Sequence, residues 1–452
     1  MRDPHSDITE GPLGHALFRL AWPVIVAEGL YTAFHIVDVA WVGRLGASAT
    51  AAVTTSTFAM WTLLGLGSLV TTGLLAHVSR AVGARDRARA ADAVGTGIGV
   101  GIAIGAVVAV AGVIAAPALF RAIDAPPEVA QEGATFLRIL VAGSPITFVY
   151  LAGAAVMRAA GNSRTPMLVT ATCVVANATL DPLFIYGLRL GVAGAALATV
   201  LCQAGGVAAF ATLARRGHPH LPVAWARVRR PDLALAASLV RVGTPSCLAI
   251  AGFSLVYLWF SHLASGLGPA ALAVVGLVNR LESLCYLPAD GFGAAAATIV
   301  GQNLGAKQAS RAWRGAWSAI AAGASLSVAL MVVYLAAPAP ILGLFSGDAA
   351  VAELGVPYLR AVALCLVGVG MEGVIAGGFA GAGNTVPPLV VHLSVTALRL
   401  PLSAWLVGKL GLMGIAWTIT GTTAVRSVVL AVWFARGRWL RHELDVRRAV
   451  VH

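Results

Sequence analysis

Residues Asn177 to Gly187 read Asn-Ala-Thr-Leu-Asp-Pro-Leu-Phe-Ile-Tyr-Gly, deep in an apolar run that begins near Met167. Asn177 and Asp181 are four apart, so on a helix they share one face. An aspartate at such a depth costs several kcal/mol unless it is paired or lines a wet cavity. Pro182 follows at once and has no N–H, which loosens the backbone ladder beside the carboxylate. A polar pair next to a helix irregularity within a membrane is a natural ion or proton site. The rest of the chain is expected to build a cavity around this pair and to expose it to alternate sides.

Composition agrees with a membrane setting. The chain of 452 residues is 58% hydrophobic and only 11% charged, with a mean hydropathy of +0.84. A soluble domain carries about 25% charged residues. The apolar runs are continuous and do not alternate, so helices are expected and strands are not. Twelve spans are predicted, near 15–43, 49–79, 92–120, 128–157, 165–187, 191–214, 233–264, 269–300, 312–345, 350–380, 386–408 and 412–435. Each exceeds the ~20 residues that cross a bilayer. The acids Asp3, Asp7 and Glu10 precede the first run. With no basic leader or cleavage signal there, that run is read as a retained helix. The five cysteines lie singly in apolar stretches and read as small core residues.

The net charge of +12 is unevenly spread. Arginines crowd the even-numbered connections: Arg80 to Arg89, Arg158 and Arg164, Arg215 to Arg230, Arg311 and Arg314, and a tail from Arg436 to Arg448. The odd connections hold little beyond Arg44, Arg121, Arg189 and Lys409. Such asymmetry is a topological signal, not a nucleic-acid footprint. It places both termini and the even connections on the cytoplasmic side of the plasma membrane.

The chain also repeats itself. Arg19 and Pro23 recur as Arg241 and Pro245, a shift of 222. Val78, Gly83 and Arg89 recur as Val300, Gly305 and Arg311 at the same shift, and Gly161-Asn162 recurs as Gly383-Asn384. The expected fold is therefore an all-α integral membrane protein with twelve transmembrane helices in two pseudo-symmetric six-helix lobes. Residues 1–214 form the amino-terminal lobe, 215–232 a basic linker rich in proline, and 233–452 the carboxy-terminal lobe and tail. A substrate site is expected between the lobes.

Val37-Asp38 to Val42-Gly43, Arg158 to Pro166, Asn177 to Thr199, Val300 to Ala306 (VGQNLGA) and Gly381 to Pro388 together carry a resemblance. From about Leu13 to about Arg438 the chain resembles the multidrug and toxic compound extrusion (MATE) family, closest to the branch of DNA-damage-inducible protein F. The resemblance implies an antiporter that exports amphipathic, often cationic compounds. It implies a cation- or proton-binding cluster at Asp38, Asn177, Asp181 and Thr199. A second pattern in the family uses a glutamate of the seventh helix for sodium; here that span has no acid, and Phe253 stands near the position. The coupling ion is thus read as a proton, with sodium as the alternative and no other cofactor.

Other intramembrane polar residues compete for a role. Tyr31, His35 and Asp38 share a face of span one at spacings of four and three, so His35 can relay protons or simply face the headgroups. Glu28, Glu282 and Glu372 are candidates for relay or substrate contact, or else buried and satisfied groups. Arg399 reads as a structural counter-charge. Together with Arg280 it keeps open a flippase for a lipid-linked precursor, which needs central cations. The Gly-rich run Gly95 to Gly105 has no strand before it, so it is read as close helix packing and not as a dinucleotide loop. No HExxH motif or clustered nucleophile set appears, so an enzyme is not expected. The expected partners are small amphipathic molecules and the bilayer, with no nucleic acid and a monomeric state. The topology has a direct check. A cysteine at Arg227 is expected to resist an impermeant thiol reagent in intact cells, whereas one at Ala47 reacts; the reverse pattern overturns the orientation.

Overall fold

The computed structural model describes residues 6–444, apart from the side chains at positions 6, 7, 36, 57 and 58. Asp3, the side chain of Asp7, Arg447 and Arg448 lie outside that description. Among the described residues every regular element is helical. The first three spans are α1 (Leu13–Gly43), α2 (Ala47–Gly83) and α3 (Arg87–Ala122). A bent pair follows, α4 (Pro127–Ala142) and α5 (Ser144–Ala159), then α6 (Arg164–Pro182) and α7 (Val192–Arg215). A short helix, α8 (Trp225–Arg229), leads to α9 (Leu233–Ser265). The remaining long helices are α10 (Pro269–Ser283), α11 (Tyr286–Gly305), α12 (Ala309–Ala336), a second bent pair α13 (Ala349–Ala363) and α14 (Leu366–Gly381), α15 (Val386–Leu410) and α16 (Leu412–Ala435), with short helical turns at Ser6–Thr9, Pro338–Gly343 and Arg438–Arg441. With α10–α11 taken as one span and each bent pair as another, twelve spans cross a membrane by length and composition, as expected.

The bends have local causes. The α4–α5 pair turns by 51°. Pro145 cannot bond the carbonyl of Val141, and the hydroxyl of Ser144 reaches that oxygen instead at 2.6 Å. The α13–α14 pair turns by 45° around Cys365, whose thiol donates to Val362 O at 3.1 Å. Cys365 is Gly143 shifted by 222, so the repeat keeps the joint while changing the residue that caps it. All five cysteines are free thiols. Gly161 (φ 90°) and Gly383 (φ 73°) close α5 and α14 in left-handed turns. The amides of Asn162 and Asn384 there bond Met157 O and Phe379 O.

Two compact units emerge. One holds Trp22–Cys247, the other Ser6–Ala21 with Leu248–Glu443. In the first unit the opening of α9 lies tight on α2. A Cβ at Gly73 meets Leu239 O at 2.3 Å, and one at Gly243 meets Leu69 O at 2.1 Å. These reciprocal glycines let two backbones touch, as small residues do inside membranes, and His77 Nε2 meets Ser238 Oγ beside them at 3.0 Å. In the second unit the segment before α1 is held by carbonyl contacts. Arg311 donates to Ile8 O at 3.2 Å and also to Gly11 O, while Asn303 reaches Ile8 O at 3.4 Å. Phe434 and Trp439 stack at 4.5 Å and fix the end of α16.

The α11–α14 contact in the second unit is equally tight. A Cβ at Gly377 lies 2.2 Å from Gly293 O, whereas one at Gly276 meets nothing within 4 Å. Gly377→Leu is expected to lower stability by about 1–3 kcal/mol or to prevent folding. Gly276→Leu is expected to be silent. Thermal unfolding of purified protein, followed by size-exclusion chromatography, distinguishes the two.

Candidate functional site

The amino-terminal site is assembled by α1, α6 and α7. Asn177 and Asp181 fall on one face of α6 and are 2% and 0% exposed. Asp38, from α1, is 5% exposed and lies against Asp181. Asn177 lies against both Asp181 and Cys202. The sequence therefore named three residues that the fold brings together. Their satisfaction is incomplete: Asp38 Oδ1, both carboxylate oxygens of Asp181 and both amide atoms of Asn177 are buried without a hydrogen-bond partner. Buried polar groups are normally paired. Two acceptor-only carboxylates facing each other need a proton or a cation between them.

Pro182 is where α6 changes geometry. The next five residues, Leu183–Gly187, form a π-helical turn, a form often found at functional sites. Tyr186 anchors that turn by donating to Trp41 O at 2.5 Å, which ties it to the helix that carries Asp38.

A cavity of about 80 Å³ opens beside the cluster. Its wall includes Asn177, Thr199, Tyr31, Tyr150, Cys202 and Gln203. This volume admits a few waters and falls well below the ~300–1,000 Å³ of small-molecule pockets. Tyr150 shares a hydrogen bond with Thr170 at 2.8 Å, and Thr147 donates to Gln203 Oε1 at 2.5 Å. Thr199 lines the cavity but spends its hydroxyl on Ala195 O at 3.1 Å. His35 packs edge-on against Tyr31 at 4.5 Å. Glu28 is the charged neighbour of Arg158, Tyr31 and Tyr150. Arg158, Glu28, Tyr31 and Tyr150 thus share one polar neighbourhood on the side of the cavity.

The second unit has its own polar cluster, wired differently. Glu372 accepts from Arg426 at 2.5 Å and from Ser427 at 2.9 Å. Arg426 also meets His392 Nδ1 at 3.1 Å. Glu282, 4% exposed, accepts from Tyr257 at 2.7 Å. Arg399 donates to Thr422 at 2.8 Å and to Thr423 at 2.7 Å, so its direct partners are neutral hydroxyls. Phe253 packs against Tyr257 and Tyr286 at 4.6 and 6.0 Å, an aromatic setting. No group of three or more His, Cys, Asp or Glu suited to a metal occurs among the described residues.

A family model described as MatE matches residues 23–183 and again 245–405. The chain belongs to the MatE family. It is accordingly a multi-pass membrane transporter and not an enzyme. The two matches confirm the repeat, since 245 less 23 and 405 less 183 are both 222. A probable multidrug resistance protein of Bacillus subtilis, YpnP, is 28% identical over 435 residues, spanning 96% of this chain and 97% of that protein. Among solved structures, an outward-facing multidrug resistance MATE transporter of the MOP superfamily matches with a TM-score of 0.91 at 22% identity, over 98% of this chain and 100% of that one. A MOP transporter of Pyrococcus furiosus, reported to have a binding pocket of reversed polarity, matches over the same shares with a TM-score of 0.90 at 22% identity.

The repeat explains where the second cluster lies. Subtracting 222 carries Tyr257, Glu282, Glu372, His392, Arg399 and Ser403 onto His35, Met60, Tyr150, Thr170, Asn177 and Asp181 of this family member. The same helix positions thus serve a polar site in each unit. Arg426, Thr147 and Thr170 escaped sequence reading because a single threonine or arginine in an apolar run has no spacing signal of its own. The shift of 222 applied to Glu372 and His392 finds Tyr150 and Thr170.

The ion pair in the second unit makes a stability test. Arg426→Gln leaves Glu372 uncompensated, and a broken buried pair costs about 3–5 kcal/mol. Arg426→Gln with Glu372→Gln is expected to recover most of that loss. Chemical-denaturation midpoints of the two single variants and the double variant measure it.

Proposed function

We propose that this MatE-family transporter is a secondary active multidrug exporter that exchanges amphipathic, mainly cationic compounds for protons by alternating access. The observation that carries the reading is the buried pair Asp38 and Asp181, each with a carboxylate oxygen lacking any donor. When both are charged, repulsion and desolvation favour a hydrated, open lobe. One proton shared between them removes that cost and lets the helices close. Pro23 within α1 and Pro182 with its π turn give both aspartate-bearing helices backbone slack. Tight closure expels a cation bound beside the carboxylates. Net exchange requires only that proton and drug prefer opposite conformations. Asn177 orients Asp181, and Glu28 with Tyr31 and Tyr150 forms the route by which a proton reaches the pair. We place this chain in the proton-coupled branch for the same reason.

The second unit supports the reading from the other side. Its two glutamates share a neighbourhood with two arginines, so that cluster is neutralised from within. It needs no added ion, and it leaves no surplus of cations for a phosphorylated lipid precursor. Both termini and the linker are placed in the cytoplasm, as the arginine distribution favours.

Purified protein reconstituted into vesicles tests the coupling. Export of a fluorescent cationic dye is expected to follow an imposed pH gradient at equal sodium. Asp38→Asn and Asp181→Asn are each expected to reduce that flux on the order of 5–150-fold, the usual range of coupling between sites. Glu372→Gln is expected to keep the pH response. Full export driven by sodium alone contradicts the proposal.

A further inference from the structure

The connection between α7 and α9 is folded firmly onto the first unit. Ala224 N donates to Ala91 O at 3.1 Å. Arg227 pairs with Asp92 at 3.2 Å, and His220 meets Ala160 O at 2.9 Å. Gly95 and Gly99 of α3 receive α8 at backbone distance: a Cβ would stand 2.3 Å from Ala224 O and 2.7 Å from Val228 O. Asp232 ends the segment by capping α9, accepting from Ala234 N and Leu235 N at 3.0 and 3.1 Å. Part of the glycine run is therefore a seat for this strap, while Gly97 and Gly105 pack within the helix bundle against Leu74 and Pro145.

The strap's outer side is different in kind. Arg215 and Arg216 end α7, and Arg229 and Arg230 end α8, all exposed. Trp225 (46% exposed) and Leu233 (82% exposed) stand out among them. Arg215 lies over the Trp225 ring at 5.9 Å. Arg215, Trp225, Ala226, Val228 and Arg229 line an open surface groove of about 470 Å³, within the ~300–1,000 Å³ range of small-molecule sites. Among the described residues, Asp92 of α3 is paired with Arg227 and Asp232 of the strap is engaged by the α9 amides. The groove is thus cationic, rigidly held, and placed where two transmembrane helices end. Tryptophan belongs at the level of lipid headgroups, and clustered arginines beside a span attract anionic lipids.

We infer that this groove binds the headgroup of an anionic phospholipid, with Arg215 and Arg229 gripping the phosphate and Trp225 lying against the glycerol and upper acyl chain. Planar guanidinium groups suit phosphate oxygens. The strap joins the two halves of the repeat, so an occupied groove ties that connection to the membrane surface. This holds whichever ion drives transport and whichever side the strap faces.

Native mass spectrometry of the full chain released from mixed phosphatidylglycerol and phosphatidylcholine micelles tests it. Wild type is expected to retain phosphatidylglycerol over phosphatidylcholine. Arg215→Gln with Arg229→Gln is expected to lose that retention by about 30-fold, since each arginine near an anionic surface contributes roughly a factor of five. Arg436→Gln with Arg441→Gln removes the same charge elsewhere and is expected to change nothing; equal loss there reduces the effect to net charge and overturns the proposal. Inorganic phosphate at millimolar concentration is expected not to displace the lipid. If it competes fully, the groove takes a soluble phosphate and the lipid assignment fails. A Trp225→Ala variant that keeps full lipid retention refutes the placement of the glycerol.

Discussion

Two carboxylates pressed together in an apolar lobe set the terms for the first unit. Neither Asp38 nor Asp181 can donate to the other while both are charged, and among the described residues no arginine acts on either. An isolated ion inside a bilayer is costly, and two like ions in contact are worse. The pair persists only if something else supplies the compensation. The surrounding features serve that need: a small cavity, an asparagine against one carboxylate, and a π turn that frees backbone next to the acid. The π turn is pinned by Tyr186 to Trp41, so movement of either aspartate-bearing helix is felt by the other.

The second unit solves the same problem in the opposite way. At the position equivalent to Asn177 it has Arg399, and at that of Tyr150 it has Glu372, already bridged by Arg426. Its charges cancel without a mobile partner. A duplicated scaffold has thus kept one electrostatically open site and closed the other. Phe253 and Phe260, which stand where Tyr31 and Asp38 stand in the first unit, complete the substitution of packing for charge.

Much of this was legible in the chain itself. Continuous apolar runs gave twelve spans, because in a membrane the backbone must satisfy itself and length alone marks a crossing. The recurrence of arginine, glycine and proline at one shift exposed the repeat. Asp38, Asn177 and Asp181 were visible as acids and amides where such groups are expensive. The wiring of the second cluster was not visible. Arg426 lies among threonines and valines of α16, and its partner Glu372 lies on another helix, so only the fold pairs them. Thr199 was placed in the cluster by resemblance, and it lines the cavity, yet its hydroxyl turns to its own backbone. The seat of the strap on Gly95 and Gly99 was likewise hidden, since a glycine run announces close approach without saying what approaches.

Proton release on drug binding tests the central claim most directly. Purified protein in weakly buffered detergent solution is titrated with a cationic dye while a pH indicator records protons set free. Linkage requires that a drug favouring the charged pair expel the shared proton. Wild type is expected to release close to one proton for each dye bound, as on the order of one proton serves two facing carboxylates. Asp181→Asn is expected to release none, and Glu372→Gln to match wild type. Undiminished release in Asp181→Asn, with its disappearance in Glu372→Gln, would contradict the account and move the coupling site to the other unit.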